Sequence, residues 1–220
     1  VSEDRTIRPP VEPVETTGAG LEKLDLRGWA RTARQRPVER ADTSVVRPIE
    51  AILFDLDDTL LDAGAAWRSG VGHLIDARVP GGVDLDRALA AWALAFTRWF
   101  DPYLTGAISL DASRTGRIRD WAQQLHIDVP EGAELEWFDS YGAGYRDGWA
   151  RFPDVDPMLA HLPRLPVGLI TNGHGIQQRE KVASLALGDF FDVILVSSEF
   201  GSPKPDPAIF RAAAEQLDVD

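Results

Sequence analysis

Residues 51–61 read Ala51-Ile52-Leu53-Phe54-Asp55-Leu56-Asp57-Asp58-Thr59-Leu60-Leu61. A short apolar run over 51–55 reads as a buried strand, and it delivers two carboxylates to its C-terminal edge. Carboxylates at such an edge are costly unless a cation or a reaction needs them. Two bland readings compete. Asp57 or Asp58 could cap a following helical turn. A calcium loop is excluded, because its sixth position would be Leu60 rather than Gly and its twelfth Ala66 rather than Glu.

The pattern downstream supplies a sheet for this strand. Val167-Gly168-Leu169-Ile170-Thr171 reads as a strand, and Gly175 to Leu187 as a helix ended by Gly188 in the left-handed position. Asp192 to Val196 reads as a further strand. Asp206 caps a helix with Pro207 at its first position and Ile209, Phe210, Ala213 and Leu217 on one face. Strands and helices alternating in short units imply a parallel sheet with right-handed crossovers. Ligands bind such sheets beyond the C-terminal ends of the strands, where Asp55, Asp57, Thr171 and Asn172 fall.

Residues 62–150 read as helical, with candidate helices from Asp86 to Phe100, Ser113 to Leu125 and Ala133 to Trp149. Six of the seven tryptophans lie here, so packing is their first reading. Residues 1–49 show mixed charges, prolines and no sustained period, and read as a disordered extension. The net charge of −12 argues against a nucleic-acid backbone binder. It leaves room for a small phosphorylated ligand, because a bound metal and one lysine can invert the local field. Zero cysteines exclude disulfides and thiol catalysis. No apolar run approaches the roughly 18 residues of a membrane span, and a cytoplasmic protein is the default expectation.

Two further elements accompany the aspartates. Thr171-Asn172-Gly173 puts a hydroxyl and loop amides at a strand end, a small anion nest. Gly201-Ser202-Pro203-Lys204-Pro205-Asp206-Pro207 presents Lys204 between prolines on a stiff loop. In this order the three elements resemble the phosphatases of the haloacid dehalogenase (HAD) superfamily, over about residues 50–220. The resemblance implies a Rossmann-like α/β core (50–66 and 151–220) with an inserted α-helical cap (67–150). Asp55 and Thr171 are 116 residues apart, room for the cap, while Thr171 and Lys204 are only 33 apart.

The resemblance also implies chemistry. Asp55 attacks phosphorus to form an aspartyl-phosphate, and Asp57 protonates the leaving oxygen and later activates water. Mg²⁺ binds the Asp55 carboxylate and the Asp57 backbone carbonyl. Thr171, the amide of Asn172, and Lys204 hold phosphoryl oxygens. Small phosphorylated metabolites are the implied partners, with neither nucleic acid nor membrane; oligomeric state stays open. The stretch from Thr171 to Leu187, with Gln178 and Lys181, is similar to the branch of nucleoside-monophosphate and acylneuraminate-9-phosphate phosphatases. Arg114, Arg117 and Arg119 belong to the same likeness; they could contact substrate, although a solvated helix face is the plainer reading for at least two of them. The family's fourth motif, a Gly-Asp with a further Asp, finds no match in residues 208–220. The expectation is therefore a C-terminally truncated copy with an incomplete core. A catalytically impaired remnant or phosphate-binding module, and a sugar-phosphate phosphotransferase, remain the alternatives.

Overall fold

The computed structural model describes residues 48–219, so the expectation for the N-terminal extension lies almost entirely outside the described residues. Three parallel strands form the sheet: β1 (Ile52–Phe54), β2 (Val167–Thr171) and β3 (Val193–Val196). Their order is β1-β2-β3, with Phe54 opposite Leu169 and Thr171 opposite Val196. β2 is buried along its whole length, as a central parallel strand of Val, Leu and Ile should be. β1 corrects an expectation: it is shorter than 51–55 and only half-buried, with Leu53 37% exposed. It pairs with β2 alone among the described residues.

Four long helices follow β1: α1 (Ala63–Arg78), α2 (Leu85–Leu104), α3 (Leu110–Leu125) and α4 (Glu134–Asp147). Asp62, Asp84 and Ser109 start the first three, each side chain accepting the amide three residues on. Their apolar faces meet around Trp92, Trp121 and Trp137, all buried. The packing reading of these tryptophans is what the structure shows. α1 is continuous across residues 66 and 67. The segments 58–62 and 148–152 lead from β1 into these helices and out of them. These two segments run side by side: the Asp62 amide donates to Ala150 O at 3.0 Å and Phe152 to Leu60 O at 3.1 Å.

The remaining helices are α5 (Val155–Ala160), α6 (Gly175–Ser184), α7 (Ser197–Phe200) and α8 (Pro207–Gln216). Asp206 caps α8 with Pro207 at its start, as expected. The end of α6 differs from expectation. Its left-handed residue is Ala186, at φ 49°, and Gly188 instead opens a short 3-10 turn. Leu185 and Leu187 are both buried, and the bend needed to bury both falls on the residue between them.

Candidate active site

Past β1 the chain winds tightly around one carbonyl. Leu56 O accepts the amides of Thr59, Leu60 and Leu61, and its side chain is fully buried. Asp58 takes a left-handed conformation at φ 59°, and its amide closes the loop onto Leu61 O at 2.9 Å. With Leu56 turned inward, its neighbours Asp55 and Asp57 are turned the other way. Neither Asp57 nor Asp58 caps α1; Asp62 does. Desolvation by the loop, and then the adjacent Asp57, push the Asp58 carboxyl above its ordinary range.

Lys204 arrives from the loop before α8. Its Nζ donates to Asp55 Oδ1 and, at 2.7 Å, to Ile170 O of β2. Asn172 fastens that loop: its Oδ1 accepts the Lys204 amide at 2.8 Å, and its Nδ2 donates to Lys204 O at 3.0 Å. The side chain of Asn172 is thus spent on positioning the lysine, which leaves only its backbone for a phosphoryl group. The Lys204–Pro205 peptide is cis. Gly173 donates its amide to Ser197 Oγ at 3.1 Å, tying the turn after β2 to the end of β3.

Asp57 is held from the other side by α6. Lys181 Nζ donates to its Oδ1 at 2.6 Å, and Gln178 Nε2 to its Oδ2 at 2.8 Å. The same Gln178 nitrogen reaches Thr171 Oγ1 and Asn172 O. Gln178 is 1% exposed and Lys181 2%. A lysine so deeply buried is costly unless paired. Asp57 supplies the counter-charge, and the Tyr145 ring lies 5.3 Å from Nζ. Sequence reasoning placed these two residues only as a branch signature. The missed signal was polarity at i and i+3 on the face of α6 that should be apolar.

Thus the structure brings Asp55, Asp57, Thr171, Asn172 and Lys204 to one end of the sheet, with Gln178 and Lys181 added. The three arginines diverge. Arg119 is exposed and pairs with Glu134 at 2.6 Å. Arg114 is half-buried, and Arg117 is buried against Phe96 and Phe138. The solvated-face reading therefore fits Arg119 and fails for Arg117. Among the described residues no group of three or more His, Asp or Glu is placed to hold a metal ion. Two surface depressions lie along the outer ends of the helices, one including Arg78 and His126, the other Arg119 and Glu134; neither includes a residue of this site.

A parallel α/β sheet with paired aspartates, a threonine and a lysine at its strand ends defines a class of hydrolytic site. The family model for haloacid dehalogenase-like hydrolases matches residues 49–220, and the chain belongs to that family. It is 27% identical to a glyceraldehyde 3-phosphate phosphatase of Methanopyrus kandleri, over 78% of this chain and 71% of that one. It is 31% identical to a phosphoglycolate phosphatase of Photorhabdus laumondii, over 76% of this chain and 66% of that one. In fold it is similar to the HAD-hydrolase YfnB of Bacillus subtilis, at a TM-score of 0.63 and 19% identity, over 77% and 73% of the two chains. The chain is thus a HAD-family hydrolase, and phosphatases are among its relatives. Among the described residues no helix is long and apolar enough to cross a membrane.

Proposed function

We propose that this chain hydrolyses phosphomonoesters of small metabolites through an aspartyl-phosphate on Asp55, with Mg²⁺ as cofactor. One observation carries the reading: Lys204 bridges Asp55 and the end of β2, while α6 separately clamps Asp57. Two carboxylates two residues apart thereby receive different surroundings, as different roles require.

An Asp55 oxygen would attack phosphorus as the bond to the leaving oxygen breaks. Asp57 would pass a proton to that oxygen, then take one from the water that cleaves the acyl-phosphate and regenerates Asp55. Both Asp57 oxygens are occupied as acceptors by Lys181 and Gln178. Serving as acid therefore requires one of these contacts to yield when substrate enters. Lys204, the Thr171 hydroxyl and the Asn172 amide would hold phosphoryl oxygens, where charge is stabilised in the transition state. The Asp55 carboxylate is partly exposed and has one oxygen beyond Lys204. With the Asp57 carbonyl it would supply hard oxygen donors of the kind Mg²⁺ takes, an ion that binds through one or two carboxylates plus substrate phosphate. When bound, the ion would neutralise charge between carboxylate and phosphate.

The helical module α1–α4 would act as the cap that shields the site from water. The proposal includes a cytoplasmic setting, where small phosphorylated metabolites are made and consumed.

The test is phosphate release from a panel of sugar phosphates, phospho-acids and nucleoside monophosphates, with Mg²⁺ and with chelator. Turnover that needs the metal and falls by at least about 10³-fold in Asp55→Asn supports the reading. Transfer to a sugar acceptor in place of water would make it a phosphotransferase. Binding of phosphate without turnover of any substrate would make it a binding module.

A further inference from the structure

The helical module holds cations that the chemistry at Asp55 does not use. Arg117, on α3, is 7% exposed, with its guanidinium 4.7 Å from the Phe138 ring centre and 5.6 Å from that of Phe96. Its only hydrogen bond among the described residues is a long one, from Nε to Ser113 O at 3.4 Å. Among the described residues no carboxylate stands within ion-pair distance, and neither terminal nitrogen has a hydrogen-bond partner. Burial lowers its pKa from the ordinary arginine value to about 10, so it still carries its charge at neutral pH. Such a cation is costly to bury, and contact with ring faces offsets only part of that cost.

Its surroundings are short of acceptors. Arg114, one turn earlier, lies 5.3 Å from the same Phe138 ring, and its one ion pair among the described residues is a 3.7 Å contact with exposed Asp111. Tyr103, Tyr141 and Tyr145 are the groups that act electrostatically on Arg117 alongside Arg114. Burial pushes all three tyrosine hydroxyls up, so they remain protonated. Among the described residues the buried indole N–H groups of Trp92 and Trp149 make no well-formed hydrogen bond and have only the Tyr141 and Tyr145 hydroxyls as weak acceptors. Buried donors in excess call for an acceptor-rich ligand.

Tyr145 joins this cluster to the aspartates. Its ring contacts Lys181 Nζ, and both Asp57 and Arg117 act on its hydroxyl. The cluster therefore borders the site on the helical side, where the part of a substrate remote from its phosphoryl group would lie.

We propose that Arg117 and Arg114, with the hydroxyls of Tyr103 and Tyr141, receive a second anionic group on the substrate, a carboxylate or a further phosphate. The inference rests on the phosphatase reading above and narrows it to doubly anionic phosphomonoesters. A guanidinium with two free N–H groups matches either anion bidentately.

The test compares kcat/KM for 2-phosphoglycolate and 3-phosphoglycerate (carboxylate tails), ribulose 1,5-bisphosphate (phosphate tail), and glycerol 3-phosphate and ribose 5-phosphate (neutral tails). The wild type should favour one anionic set, which identifies the anion. In Arg117→Met that preference over neutral tails should fall roughly tenfold or more, and Arg117→Lys should restore part of it. A wild type with no preference, or a preference unchanged in Arg117→Met, overturns the inference while leaving the phosphatase reading intact.

Thermal shift with the same compounds on Asp55→Asn gives a readout that needs no turnover. Stabilisation by anionic-tailed over neutral-tailed ligands, lost in Asp55→Asn/Arg117→Met and partly regained in Asp55→Asn/Arg117→Lys, supports the subsite even if the chain hydrolyses nothing. Equal stabilisation by both kinds of ligand overturns it. Should Arg117→Met fail to fold, Arg114→Gln and Arg117→Lys carry the same comparison.

Discussion

Lys181 is buried at a cost that stability alone does not explain. Replacing a buried ion pair with an apolar side chain of similar size is often neutral or stabilising. Asp57 is one-third exposed, so water can take over its solvation if the lysine goes. Lys181→Met should therefore keep or raise the melting temperature while lowering kcat. A loss of about 10- to 100-fold is expected, because Asp57 would no longer be fixed in direction. Steady-state kinetics beside a melting curve checks this, and a fall in both quantities would make the lysine structural. At this scale the sequence was informative about which residues carry charge at strand ends, since strand polarity alone decides that. It was silent on Asn172, whose side chain serves the Lys204 backbone across 32 residues of chain. No local pattern records such a bond.

Between elements, glycines set how closely the helices approach. A Cβ at Gly144 of α4 would lie 2.4 Å from His73 Cβ and 2.7 Å from Ser69 O of α1. At Gly70 of α1 it would meet the Tyr141 ring at 2.6 Å. Both helices therefore cross on hydrogen atoms, and backbone atoms cannot yield as a flexible side chain can. Gly144→Ala should destabilise by about 1–3 kcal/mol despite the better helix propensity of alanine. Chemical denaturation measures it, and a stabilised variant would show that the crossing can open. The Arg119–Glu134 contact ties α3 to the start of α4 in a pH-dependent way. A hydrogen bond from its own amide, followed by that from Arg119, holds the Glu134 carboxyl below the ordinary glutamate range. A carboxyl lowered in the folded state contributes stability above its unfolded pKa and loses it as pH falls through the folded one. Glu134→Gln should accordingly melt lower than wild type near pH 7 and converge with it toward pH 3. A pH-independent difference would exclude an electrostatic origin. Periodicity made these helices legible but not the glycine crossings, because a close approach depends on the partner helix. The end of α6 was misread for the same reason, since burial of Leu185 and Leu187 overrode the local preference for glycine.

Across the whole molecule, the helices and the sheet share one continuous apolar core, and two of their contacts differ in kind. One is the pair of adjacent connecting segments at 58–62 and 148–152, held by the Asp62–Ala150 and Phe152–Leu60 hydrogen bonds. The 116-residue gap between Asp55 and Thr171 announced an insertion. The pairing of its two ends was hidden, because neither segment alternates like a strand. The other contact is Tyr145, which reaches from α4 to Lys181 on α6 and so to Asp57. Tyr145 is thus one of the buried side chains that seat the helices against α6. Tyr145→Ala removes the ring, at a cost of about 3–5 kcal/mol if the cavity does not collapse. It also unseats Lys181 and hence Asp57. Hydrogen exchange at the amides of Asp62 and Phe152 should then quicken more than exchange in β2, because local opening of the connection costs less than global unfolding. kcat should fall with it for every phosphomonoester, whatever its tail. If exchange in β2 and the connecting segments rose equally, Tyr145 would be holding up the whole fold rather than the seat of one module on the other.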